Sequence, residues 1–95
     1  MAKYELMFIV DPSLSEEDRN TSIDAFKSTL EKFSAKIEKE DVIGEKKLAY
    51  KINKSTTGFY LLLDLEMNWE EIKNISKEVN LNRNIWRYMF TVKEA

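Results

Sequence analysis

Basic and aromatic side chains lie close together in one short stretch of this sequence. Lys46 and Lys47 are adjacent, a short apolar run ending at Tyr50 follows them, and the segment 58–60, Gly-Phe-Tyr, opens the next apolar run. Lysine acts on phosphates as a point charge, and aromatic rings offer faces on which bases can stack. The pattern indicates local contact with a polyanion rather than bond-making chemistry.

Residue types needed for most catalysis are missing from the chain. It contains no Cys and no His, which excludes disulfides, thiolate nucleophiles, the usual zinc ligand sets and histidine acid–base catalysis. Glycine-rich phosphate loops and calcium loops are also absent from the sequence. We therefore expect no cofactor and no enzymatic activity.

Composition is that of an ordinary folded protein. The 95 residues are 43% hydrophobic and 34% charged, which predicts one domain over residues 1–95. No stretch approaches the roughly 20 apolar residues of a membrane span, and the N-terminus lacks the pattern of a signal peptide. A cytoplasmic location without membrane contact is expected.

Charge is divided unevenly along the chain. Residues 1–45 carry 6 basic against 11 acidic side chains, whereas residues 46–95 carry 9 against 6. The second half could form a basic surface for a polyanion, or these charges could simply be solvated. Strong non-specific binding to nucleic acid is not expected at a pI near 5.2, because counterion release requires several clustered cations.

The start of the chain predicts a strand followed by a helix. Residues 4–10 are apolar on both faces, which is typical of a central strand, and Asp11-Pro12 ends it. A helix is predicted from Ser15 to Phe33, because Ser15 can cap its N-terminus and apolar residues recur at steps of three and four.

The middle of the chain predicts a hairpin. Residues 35–42 and 46–53 are expected to be extended, and Gly44 between them indicates a bulge in one long strand. Residues 54–58 are predicted to turn, and 59–67 to form a strongly apolar strand.

The last third predicts a second helix and a final strand. Asn68 is expected to cap the helix, with Glu71 completing a capping box and Trp69 in the buried stripe. A loop over 81–84 precedes a predicted strand over 85–93.

These elements follow the order βαββαβ. Two interleaved right-handed βαβ units predict a four-stranded antiparallel sheet with strand order 2-3-1-4 and both helices on one face. The uncovered face is expected to be apolar enough to mark an interaction site, although an ordinary sheet surface is the alternative. Its predicted members are Met7, Ile9, Tyr60, Leu62, Arg87 and Met89.

Four segments together carry a family pattern over nearly the whole chain. They are Tyr4–Pro12, Gly44–Lys54 with its Leu-Ala-Tyr core, Gly58–Tyr60 and Leu81–Met89. Their order and spacing resemble the bacterial small-subunit ribosomal protein S6 family. Lys51 departs from the pattern, since the family usually has Pro there, and a strand loses nothing by regaining that backbone N–H.

The resemblance implies a ferredoxin-like fold and a structural role in the small ribosomal subunit, without enzymatic activity or cofactor. It also implies binding to the central domain of small-subunit ribosomal RNA, as a heterodimer with ribosomal protein S18 during platform assembly. No membrane and no small-molecule substrate is expected as a partner.

Two sets of site residues follow from this resemblance. One of Lys46 and Lys47 is expected to face RNA, because neighbours on a strand alternate, and packing at the sheet edge is favoured over base stacking for Tyr50. The candidate RNA contacts are Lys3, Lys46, Lys47, Tyr50, Lys54, Arg83 and Arg87. The candidate contacts to the partner protein are Met7, Ile9, Tyr60, Leu62 and Met89.

Three other classes share the predicted fold. An RNA-recognition motif would need aromatic residues where Met7 and Ile9 stand. A small regulatory domain that dimerises through its sheet would fit the apolar face but lacks a glycine-rich ligand loop. An acylphosphatase-like enzyme would need an anion-binding loop after the first strand, whereas residues 11–15 are acidic.

Overall fold

A computed structural model of the chain describes residues 2–52 and 54–93. Its sheet has the order β2-β3-β1-β4 with every pairing antiparallel, so the predicted βαββαβ order and sheet are confirmed. The elements are β1 (Ala2–Val10), α1 (Glu16–Lys32), β2 (Lys36–Ile52), β3 (Ser55–Met67), a short 3-10 helix (Trp69–Glu71), α2 (Ile72–Val79) and β4 (Ile85–Val92).

The core lies between the helices and one face of the sheet. Leu6, Phe8 and Val10 of the central strand β1 are fully buried, and alternate residues of β3 from Leu61 to Met67 pack beside them. The ring of Phe26 in α1 lies 4.7 Å from that of Phe8. Burial of these side chains is the main favourable term in folding.

Helix α1 begins as its sequence predicts. The backbone N–H of Asp18 donates to the Oγ of Ser15 over 3.1 Å, which satisfies one of the free N–H groups of the first turn. Three acidic residues in that turn favour the positive end of the helix dipole. Ile23, Phe26 and Leu30 form the buried stripe, so α1 is fixed by local signals.

The hairpin between β2 and β3 is longer than predicted. Ser55 already begins β3, so most of the expected turn over 54–58 belongs to the strand, and Lys54 adopts a φ of 68° within the tight connection. Asn53, predicted to end β2, lies outside the described residues. The predicted bulge is confirmed: pairing shifts between Val42 and Gly44, and Gly44 has a φ of 97°.

The start of the second helix differs from the prediction. Asn68 makes no side-chain capping bond, and a 3-10 turn separates it from α2. Trp69 is 70% exposed rather than buried. The α-helix begins only at Ile72. Trp69 lies in the 3-10 turn before it, where the α-helical spacing of three and four residues that predicted its burial does not hold.

Among the described residues, no helix combines the length and the apolar character needed to cross a membrane.

Candidate interaction surfaces

The face of the sheet away from the helices carries a continuous apolar row. Met7 of β1 pairs with Leu62 of β3 and with Met89 of β4, so the three side chains cross three adjacent strands. Met89 is 55% exposed, and the other two are partly exposed. This apolar row, as we call Met7, Leu62 and Met89, leaves hydrophobic surface in contact with water.

Charged residues border the apolar row on one side. Glu5 pairs with Asp64 and Thr91 in the next register position, and the Nζ of Lys93 lies 3.2 Å from a carboxylate oxygen of Asp64. On the other side of the row, Ile9 pairs with Tyr60 and Arg87. The apolar row therefore has the carboxylates of Glu5 and Asp64 on one side, and the ring of Tyr60 and the guanidinium of Arg87 on the other.

Ile9 belongs to the open face but is not available on its surface. Only 5% of Ile9 is exposed, although it was predicted to contact the partner protein. The side chains of Ile9, Leu48 and Tyr60 surround the position that a Cβ on Gly58 would occupy. The hairpin thus covers Ile9, and we remove Ile9 from the candidate partner contacts.

The end of the hairpin bends across the open face. The Cζ of Arg87 lies 5.1 Å from the ring centroid of Tyr50, although β2 and β4 are the opposite edges of the sheet. Three strand spacings of about 4.8 Å separate these edges. Tyr50 can approach Arg87 only because the hairpin extends past the end of β1, where Val10 pairs with Phe59, and turns back over the sheet.

Tyr50 is not packed at the sheet edge as expected. It is 59% exposed, with the guanidinium of Arg87 over its ring. The distance and chemistry are those of a cation–π contact, worth about 0.5–1 kcal/mol at an exposed site. An exposed aromatic ring beside a cation is suited to contact with another planar group.

Positive charge is concentrated at the hairpin end, defined here as residues 46–57. It contains four lysines, and the sequence has no acidic residue from position 46 to position 63. Lys46 pairs with Gly58 and Lys47 with Thr57, so the two lysines lie on opposite faces as predicted. Lys51, exposed in the same segment, was missed, although the run without acidic residues is a signal that could have identified it.

The lysines of the hairpin end are not neutralised within the part of the chain that the structure describes. Ion pairs there join Lys27 to Glu40, Lys32 to Glu78, Lys39 to Asp41 and Lys93 to Asp64. None of these pairs uses a predicted RNA contact. Glu45, the carboxylate next to Lys46, accepts a hydrogen bond of 3.1 Å from the hydroxyl of Thr57.

Two predicted RNA contacts lie elsewhere. Lys3 pairs with Glu66 near the start of β1, about 20 Å along the strand from Ile9 at 3.3 Å per residue. Arg83 lines a groove of about 490 Å³ between α1 and the loop after α2, on the helix-covered side of the sheet. The structure therefore brings Tyr50 and Arg87 together. Lys46, Lys47 and Lys54 belong to the same hairpin end as Tyr50, whereas Lys3 and Arg83 lie elsewhere.

Comparison with known proteins agrees along nearly the whole chain. The family model for ribosomal protein S6 matches residues 3–92. A small ribosomal subunit protein bS6 from Shouchella clausii is 38% identical over 94 residues, which is 99% of each chain. One from Acidothermus cellulolyticus is 36% identical over 87 residues, covering 92% of this chain and 91% of the relative.

Solved structures give the same result. The crystal structure of 30S ribosomal protein S6 from Thermotoga maritima has a TM-score of 0.89 and 26% identity, covering 97% of this chain and 87% of its own. The P2 domain of the chemotaxis kinase CheA, solved in complex with CheY, has a TM-score of 0.64 at 10% identity. The second likeness shows a shared fold alone.

The names of these relatives also bear on activity. The family model and the sequence relatives carry the names of ribosomal proteins and not of enzymes, which confirms the prediction that the chain is not an enzyme. Sequence match, length and fold therefore agree. The chain belongs to the ribosomal protein S6 family and is a cytoplasmic structural protein of the small ribosomal subunit.

Proposed function

We propose that this chain binds the central domain of small-subunit ribosomal RNA as a heterodimer with ribosomal protein S18, during assembly of the platform. The family suggests the role. The observation that carries the proposal is the arrangement of the open face. The apolar row lies next to Arg87 on the same face, and Arg87 in turn contacts Tyr50 of the cationic hairpin end. One sheet thus offers adjoining surfaces for a protein and for a polyanion.

The apolar row is the proposed contact to S18. Its three side chains come from three neighbouring strands, so the contact would rest on a rigid element. Burying partly exposed Met and Leu side chains contributes about 25 cal/mol per Å² of apolar area removed from water. Tyr60, also partly exposed, extends this surface towards the hairpin.

The hairpin end and Arg87 are the proposed contacts to RNA. Arg87 can bind a phosphate through two parallel hydrogen bonds, and the lysines act as point charges. The chain as a whole carries a net charge of −2, so its cations are local and few. We therefore expect the heterodimer, rather than this chain alone, to bind RNA tightly.

The experiment is a binding titration of a central-domain ribosomal RNA fragment, with and without S18, at several salt concentrations. We expect tight binding only in the presence of S18. The logarithm of the binding constant should fall with the logarithm of the salt concentration, by roughly 0.7–0.9 for each phosphate contact. Absence of RNA binding in both mixtures would contradict the proposal.

Self-association of the isolated chain provides a separate control. A small regulatory domain that dimerises through its sheet would bury the apolar row in a homodimer. Sedimentation equilibrium of the chain alone should instead give a monomer that becomes a heterodimer on addition of S18. A tight homodimer that S18 does not dissociate would favour the regulatory class.

A further inference from the structure

We infer that Tyr50 and Arg87 form a binding site for one unpaired nucleotide of RNA, with the base stacked on the tyrosine ring and a neighbouring phosphate held by the guanidinium. The inference rests on the proposed function and makes it more specific. It assigns base stacking to Tyr50, for which the sequence favoured packing at the sheet edge. It also names unpaired RNA as the element that the hairpin end recognises.

The first support is the state of the tyrosine ring. Tyr50 keeps 59% of its surface exposed while the Arg87 guanidinium lies over the ring at 5.1 Å. A ring that is held by one planar cation and still largely exposed can accept a second planar group. A nucleobase is such a group, because every base has a π-face.

The second support is that the hairpin which carries the ring is held in place. Ile9 of β1 and Leu48 of the hairpin end both lie where a Cβ on Gly58 would stand, so the hairpin end packs beside β1 instead of projecting freely. Arg87 itself lies in β4, paired with Ile9. Pairing within the sheet therefore places Arg87. Tyr50 lies in the unpaired stretch between Lys47 and Ile52, but it is only two residues from the packed Leu48, which limits the order that must be gained on binding.

The third support is the charge around the pair. Lys46, Lys51 and Lys54 belong to the same hairpin end, and the sequence has no acidic residue from position 46 to position 63. In the part of the chain that the structure describes, Arg87 takes part in no ion pair. Phosphates adjoining a stacked base would meet these cations without displacing a carboxylate.

The RNA element must be unpaired at this point. Bases within an A-form helix are stacked on their neighbours, so a protein ring can stack only on bases in loops, bulges or ends. A purely electrostatic site would accept a duplex and would not need Tyr50. The loss of RNA affinity on removal of the Tyr50 ring therefore distinguishes base stacking from purely electrostatic binding.

The test uses the heterodimer with S18 and a central-domain ribosomal RNA fragment that carries 2-aminopurine at unpaired positions, one position at a time. Tyr50→Phe keeps the ring and should bind like the wild type. Tyr50→Leu removes the ring and should bind about tenfold more weakly, since losing a base–aromatic stack weakens binding roughly 5- to 150-fold. Stacking of one 2-aminopurine on Tyr50 should change its fluorescence with wild type and Tyr50→Phe, but not with Tyr50→Leu.

Two controls separate stacking from charge. Arg87→Lys keeps the charge but loses the planar group, so it should weaken RNA binding several-fold. A fully paired duplex of similar length should bind wild type and Tyr50→Leu equally. Circular dichroism melting of each variant establishes that the fold is kept.

The contrary outcomes are distinct. Equal affinity and equal fluorescence change for wild type and Tyr50→Leu would overturn the inference while leaving the proposed function intact. Weaker S18 binding by Tyr50→Leu, with wild-type RNA affinity restored at saturating S18, would also overturn it and would assign Tyr50 to the protein interface. Failure of the wild-type heterodimer to bind any fragment would overturn the proposed function, and the inference with it.

Discussion

Ile9 fills the space that a side chain at position 58 would occupy. Its Cγ2 lies closer to the position of a Cβ on Gly58 than Cβ atoms in proteins normally tolerate, and the Cδ2 of Leu48 lies 3.2 Å from the same position. Glycine is therefore required at position 58 because the side chain of Ile9 approaches it closely, and not because of a positive φ. Of the described glycines, only Gly44 has a positive φ. This approach is what lets the hairpin cover Ile9.

Gly58→Ala should lower the free energy of unfolding by about 1–3 kcal/mol, because the added methyl group would force Ile9 or the strand to move. Urea denaturation of the variant measures the change. Ile9→Ala makes room for the methyl group, so the double variant should lose less than the two single losses added together. Strict additivity would contradict the contact.

Asn84→Ala should destabilise the chain by about 1–3 kcal/mol, because it leaves a buried hydroxyl without a partner. The Nδ2 of Asn84 donates to the Oγ of Ser22 over 3.0 Å, and Ser22 is buried. Chemical denaturation checks the value. Adding Ser22→Ala should recover part of the loss, and no recovery would show that the hydrogen bond is unimportant.

Met89→Lys should weaken the heterodimer with S18, because it places a charge within the apolar row that the partner would have to desolvate. Isothermal titration of S18 into the variant measures the effect. Val42→Lys is the matched control, since Val42 is an exposed apolar residue of 62% exposure on the edge strand β2. If Val42→Lys weakens S18 binding and Met89→Lys does not, the interface lies at the edge strand β2 and not on the open face.

Lys46→Glu and Arg87→Glu should each weaken RNA binding by the heterodimer and leave the melting temperature nearly unchanged. Both side chains are exposed, and each substitution should also make the salt dependence shallower, by roughly 0.7–0.9 for each lost phosphate contact. Lys77→Glu on α2 is a control of the same charge change. If all three variants bind alike, neither the hairpin end nor Arg87 belongs to the RNA surface.

Signals within a few residues of one another predicted the regular elements well. Ser15 caps α1 through its own side chain, and Gly44 marks the bulge in β2. The same reasoning was wrong at Asn68 and Trp69, because a 3-10 turn intervenes before α2. A capping pattern specifies which bonds are available, while packing of the following helix decides which of them form.

The sequence by itself determined the element order, the buried stripes, the exclusion of Cys and His chemistry and the family. Only the tertiary structure decided that Ile9 is covered, that Tyr50 meets Arg87, and that Lys3 and Arg83 lie apart from the hairpin end. Alternation along a strand tells which face a residue takes. It does not tell which distant segment folds over that face, because the packing of residues far apart in the chain fixes the path of the hairpin.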